Sequence, residues 1–152
     1  MKKLCLMIGG LLLSVSTFAQ EQPFKFQANQ DSHAYYDGLV KVSGELEIIK
    51  DEYGTWACMH VDQATAYKIP RPKSDQRVAW FCFSNPKTLI QQLALPLNQS
   101  VCGYTGKTTL WIEDYERNLA QNDDTDLSSF SRLVQKGKYK ASTCDEIAEA
   151  EF

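Results

Sequence analysis

The chain has 152 residues, a formal charge of −3, 43% hydrophobic and 11% aromatic residues, five cysteines and two histidines. That is the size of one domain, and the composition excludes disorder, collagen and coiled coil. Two histidines leave little room for His-rich metal chemistry, and the sequence contains no recognisable catalytic constellation or cofactor motif.

Residues 1–19 read as a signal peptide. Lys2 and Lys3 form a positive n-region, Leu4 to Leu13 a short apolar core, and Thr17 and Ala19 the small residues of a cleavage site before Gln20. An apolar core of about ten residues is well short of the ~20 that span a bilayer as a helix, and Cys5 precedes that core instead of following it as in a lipoprotein. The lysine-led leader is of bacterial type and points to a periplasm or the exterior. Cleavage after Ala19 leaves 14 Lys and Arg against 19 Asp and Glu, a net −5, so no global field draws the chain to nucleic acid or anionic lipid. The longest later apolar run, Val78 to Phe83, cannot cross a membrane. Cys58, Cys82, Cys102 and Cys144 remain, an even count that in an exported chain predicts two disulfides.

Residues 20–37 are polar and without periodicity, a flexible lead-in. From Val40 the pattern alternates: Val40, Val42, Leu46 and Ile48 are apolar between Lys41, Ser43, Glu45 and Glu47, a half-buried strand with Gly44 marking a bulge or bend. Asp51-Glu52-Tyr53-Gly54 is a turn, Thr55 to Val61 a second strand, Asp62 to Gln76 a long loop, and Arg77 to Phe83 a third strand. Asn85 and Pro86 suit a helix start, Leu89, Ile90, Leu93 and Ala94 continue it, and Pro96 ends it. Ser100 to Thr105 and Thr108 to Tyr115 read as two strands about a turn at Gly106-Lys107. The tail, 118–152, reads as an acidic loop at 122–126 and a short helix carrying Leu127, Phe130, Leu133 and Val134, capped by Gly137. Thr143 and Glu146 form a capping box for a last helical turn.

This order, three strands, a helix, then two strands over residues 38–117, resembles the OB-fold, a five-stranded Greek-key barrel. The mid-strand Gly44 is what such a barrel uses to turn its corner. The resemblance implies a mainly β, OB-like barrel with one helix between its third and fourth strands and a C-terminal helical appendage. With the leader, it extends to the small periplasmic OB-fold proteins of bacteria. It carries no binding residues over.

Each candidate for chemistry has a simpler reading. Gly106-Lys107-Thr108 lacks the earlier glycine and the following helix of a phosphate-binding loop. His33, His60 and the widely spaced cysteines do not have zinc-ligand spacing. A Cys58 nucleophile with His60 as base needs a free thiol. Glu113, Asp114 and Glu116, and the group Asp123, Asp124 and Asp126, read as solvated acids, not the paired carboxylates of a glycosidase; the second group also lacks the glycine and glutamate of an EF-hand. No metal site and no cofactor are expected.

The remaining signal is the loop Tyr67 to Arg77. Lys68, Arg71, Lys73 and Arg77 face only Asp75, a local +3, and Pro70 and Pro72 stiffen it. With Trp56 nearby, Tyr67, Lys68, Arg71, Lys73 and Arg77 are the candidate binding residues, suited to an acidic protein partner or an anionic glycan. Four cysteines permit three pairings; antiparallel registry placing Trp56 opposite Cys82 and Cys58 opposite Trp80 disfavours a Cys58–Cys82 bond, and of the two pairings left open the expected one is Cys82–Cys102 spanning the helix with Cys58–Cys144 pinning the tail. The functional expectation is a non-enzymatic exported binding protein, an inhibitor or immunity-type protein acting on a protein partner. The alternatives are a glycan-binding module of the enterotoxin B-subunit kind and a hydrolase using Asp114, Glu116 or His60.

Overall fold

The computed structural model describes residues 20–72, 78–120 and 125–150; the expected leader at 1–19 and its cleavage site lie outside them. The elements run β1 (Gln22–Gln30), β2 (His33–Lys50), β3 (Thr55–Val61), α1 (Gln63–Ala66), β4 (Trp80–Phe83), α2 (Pro86–Leu93), β5 (Val101–Asn118), β6 (Leu127–Thr143) and α3 (Cys144–Ala150). They form one sheet in the order β1-β2-β3-β4-β6-β5, and β5 pairs back onto β2. Five strands therefore close a ring, with β1 hydrogen-bonded outside it. All pairings are antiparallel except the short β4–β6 contact, Cys82 with Leu127 and Phe83 with Ser128. No described helix is long and apolar enough to cross a membrane.

The alternation read from Val40 onward sets the inside of the ring. Val40, Val42, Leu46 and Ile48 are buried, as are Ala57, Met59 and Val61 on β3, Phe81 and Phe83 on β4, and Leu110, Ile112 and Tyr115 on β5. α2 closes the core with Leu89 and Leu93, both fully buried. Gly44 lies where β2 begins to pair with β3, opposite Val61, and no register shift occurs there. Its role is close approach: a Cβ at this position would stand 2.1 Å from the His60 carbonyl oxygen, so the strands cross here only without a side chain.

Several local expectations are corrected. Residues 22–37 are not a loose lead-in but β1 and the start of β2, joined by a two-residue hairpin in which Asp31 (φ 47°) and Ser32 (φ 65°) are both left-handed, as the twist-compatible turn requires. Gly106-Lys107 is not a turn; β5 is one strand of 18 residues. The glycines there serve strand contact, since a Cβ on Gly106 would lie 2.5 Å from the Lys138 carbonyl and one on Gly137 2.4 Å from that of Lys107. Gly137 is accordingly not a helix cap, and the segment bearing Leu127, Phe130, Leu133 and Val134 is the strand β6. Its i, i+3 spacing fits a helix in isolation, but pairing to β5 along almost its whole length decides otherwise.

Asn85 sits at the helix start as expected, yet it makes no cap. Its amide donates to the Phe130 carbonyl (2.9 Å) and accepts the Phe130 N–H (2.8 Å), tying α2 to β6. α2 ends at Leu93 because Ala94 turns left-handed. The Thr143–Glu146 box is present: the Thr143 N–H donates to Glu146 (2.8 Å) and the Glu146 N–H to Thr143 Oγ1 (3.2 Å). The two disulfides are Cys58–Cys82 and Cys102–Cys144, not the expected Cys82–Cys102 and Cys58–Cys144. Cys58 lies directly opposite Cys82, and His60 opposite Trp80. The strands are slid by two residues from the expected register because a long loop, not a tight turn, joins β3 to β4 and fixes no registry.

Candidate binding surface

The basic loop is anchored to the body of the protein. Thr65 and Ser43 exchange hydrogen bonds, the Thr65 hydroxyl donating to the Ser43 carbonyl and the Ser43 N–H to Thr65 Oγ1, and Ile69 is buried in the core. Lys68 Nζ lies 2.6 Å from Glu21 and also donates to the Lys41 carbonyl at 2.8 Å. Its hydrogen bond is the main cause holding the Glu21 carboxyl below the usual carboxylate range. Arg71 stands 3.5 Å from Asp126, both side chains largely buried. Lys73 and Arg77 lie outside the described residues. Of the expected loop residues, Tyr67 alone is described and strongly exposed; the structure brings Lys68 and Arg71 into internal ion pairs.

Asp126 is the second surprise. Expected on a solvated loop, it is 3% exposed. It accepts the Tyr115 hydroxyl at 2.5 Å and the Asn118 backbone N–H at 2.9 Å, beside the Arg71 guanidinium. Burial first, and the adjacent carboxylate second, push the Tyr115 hydroxyl far above the usual tyrosine range. The end of β5 and the start of β6 meet the sequence-distant Arg71 in this network, which is structural in character. Asp123 and Asp124 lie outside the described residues.

Asp114 and Glu116, at the end of β5, line one cleft together with Tyr35, Asp37 and Ser84. Glu116 accepts from the Tyr35 hydroxyl at 3.5 Å and lies 3.7 Å from His33 Nε2, while Asp114 is exposed at a bulge with φ 52°. The candidate nucleophile Cys58 has no free thiol, since it is bonded to Cys82. No cluster of three metal-ligating side chains occurs among the described residues.

What the fold does present is the outer face of β3 and β4. Because Ala57, Met59 and Val61 point inward, Trp56, Cys58 and His60 point outward, joined by Trp80 and Cys82 from β4. His60 stacks on Trp80 with ring centroids 5.7 Å apart and planes 23° apart. Trp56 is 51% exposed, and Tyr53 in the adjoining turn is 82% exposed. Asp51 organises this corner: it accepts the Tyr53 and Gly54 N–H groups (2.8 and 2.7 Å) and the Trp56 indole N–H (2.9 Å). Beside it lies a cleft of about 380 Å³ between Tyr53, Glu52, the Cys102–Cys144 disulfide and Ile147 of α3.

Of this candidate surface, the sequence pointed to Trp56, which is exposed, and not to Tyr53 or the His60–Trp80 stack. The available signal for Tyr53 was a large aromatic inside a four-residue turn, where no core is within reach. No family model, curated protein or solved structure matches the chain.

Proposed function

We propose that the protein is a non-enzymatic exported binding protein, an inhibitor or immunity-type protein that holds a protein partner on the outer face of β3–β4 and the β2–β3 turn. The reading includes a cleaved leader ending at Ala19, a periplasmic or extracellular address, and a ring of OB type. In its favour, the ring order β2-β3-β4-β6-β5 with α2 between β4 and β5 follows the strand order expected of an OB-type ring, and the second and third strands of that fold commonly carry its ligand face. Two disulfides fit an oxidising compartment.

The observation that carries the proposal is the exposure of Tyr53 and Trp56 on a rigid corner. Exposed aromatics of this size are the typical anchors of protein interfaces. Here the Asp51 hydrogen bonds and the Cys58–Cys82 bond fix their geometry before binding, which lowers the entropy lost on association. The experiment is affinity capture from periplasmic extract with the immobilised disulfide-intact protein. One specific partner, lost with Tyr53→Ala/Trp56→Ala, is expected; capture of no protein, or equal capture by the double variant, refutes it. The His60–Trp80 stack favours a second reading, a glycan-binding module, because flat paired rings suit sugar faces. Binding on a glycan array that disappears in Trp80→Ala, with no protein captured, selects it instead.

A further inference from the structure

Resting on that proposed surface, we infer that the partner presents a cationic, arginine- or lysine-rich segment to it. The basis is the charge around the aromatic anchors. On the outer face of β2, Glu47 lies opposite Cys58 and Glu45 opposite His60, both exposed. The turn adds Asp51 and Glu52. Against these four carboxylates the same corner carries one cation, Lys50, and the described residues show no ion pair to Glu45, Glu47 or Glu52. Two cations across β5 and β6 are directed elsewhere. Lys107 is held by Asp62 at 2.7 Å, although it also feels Glu45, and Lys140 acts on Glu146 of α3.

The combination is more informative than the acids alone. Tyr53 and Trp56 offer ring faces that attract a guanidinium or ammonium group, and Glu47 and Glu52 stand near them to accept its hydrogen bonds, while Asp51, occupied by the turn and the Trp56 indole, adds its charge. The cleft next to Tyr53, about 380 Å³ and lined by Asp51, Glu52 and the single cation Lys50 as well as the Cys102–Cys144 disulfide, has room for one long basic side chain. An acidic partner or an anionic glycan, which the basic loop suggested, meets repulsion on this face.

The test is a titration of the disulfide-intact protein with a hexa-arginine peptide and, separately, a hexa-glutamate peptide, followed by proton–nitrogen correlation spectra. Hexa-arginine is expected to shift the Trp56 indole N–H and the Tyr53 and Glu47 amides saturably, hexa-glutamate to shift none of them. Glu47→Gln/Glu52→Gln, two exposed changes, are expected to weaken binding about fivefold without altering the thermal midpoint. Absence of saturable shifts at these positions, shifts concentrated elsewhere, or unchanged affinity in the double variant overturns the inference. Should affinity capture yield a partner whose binding is indifferent to Glu47→Lys and to salt, the charge inference falls while the binding reading stands. Hexa-arginine binding here without any captured protein reverses that outcome.

Discussion

Asp126→Ala is the sharpest test of how the ring and its loops are held together. Its carboxylate is 3% exposed and serves the Tyr115 hydroxyl, the Asn118 N–H and the Arg71 guanidinium at once. Alanine withdraws the acceptor from two donors inside the fold, each worth about 1–3 kcal/mol when left unsatisfied. It also removes the anion facing a guanidinium whose side chain is 11% exposed. Breaking one half of a buried pair costs about 3–5 kcal/mol. Because these losses concern one carboxylate they are not additive, and about 3–5 kcal/mol is the expected total. At about 2–4 °C per kcal/mol for a domain of about 150 residues, the thermal midpoint falls by about 6–20 °C. Urea unfolding followed by tryptophan fluorescence measures the free energy, and Glu52→Ala, exposed and unpaired among the described residues, is the control within about 0.5 kcal/mol. A loss for Asp126→Ala under about 1 kcal/mol, like that of the control, refutes the claim that this network fastens the 67–72 segment to the start of β6.

Tyr115→Phe deletes one donor to the same carboxylate and is expected to cost about 1.5–3 kcal/mol at neutral pH, read by the same unfolding curves. Since the folded-state value of Tyr115 is raised, its contribution is complete below the ordinary tyrosine range and declines as pH rises through and beyond it; the phenylalanine variant should lose that alkaline slope. Glu146 is held below the usual carboxylate range first by the Thr143 backbone N–H, so its support of α3 is present above the ordinary glutamate value and lost as pH falls through the depressed one. Amide exchange at Ile147 should report fraying of α3 in that acidic window, and Glu146→Gln should make it flat. Cys102→Ala/Cys144→Ala should release α3 and cost about 2–4 kcal/mol, whereas Cys58→Ala/Cys82→Ala should weaken β3–β4 protection; equal exchange patterns in the two variants would contradict the observed pairing.

The parts of the fold legible in the sequence were those with a local signature. Alternation from Val40 to Ile48 marks the inside of β2 because a pleated strand must put every second side chain on one face. The Thr143–Glu146 box is visible because capping acts over three residues. What failed needed a partner strand to decide it. Gly106-Lys107 looks like a turn until Lys138 and Tyr139 lie across from it, and the segment 127–134 has helical spacing until β5 pairs with it. The disulfides followed from register, and register across an 18-residue β3–β4 connection is set by the Phe81 and Phe83 side chains entering the core, not by any turn.

The binding surface was harder still, for an electrostatic reason. A local +3 at Tyr67–Arg77 counts neighbours in sequence, whereas Coulomb pairing counts neighbours in space. Glu21 and Asp126, remote along the chain, take up Lys68 and Arg71, and an ion pair already made inside the protein has little left to offer a ligand without first being broken. Glu45 and Glu47, by contrast, look like routine solvated positions of an alternating strand. They become significant only because β3 turns Trp56 and His60 to the same outer face while its alternate residues fill the core. Burial on one side of the sheet thus selects which aromatics and which charges remain for recognition on the other.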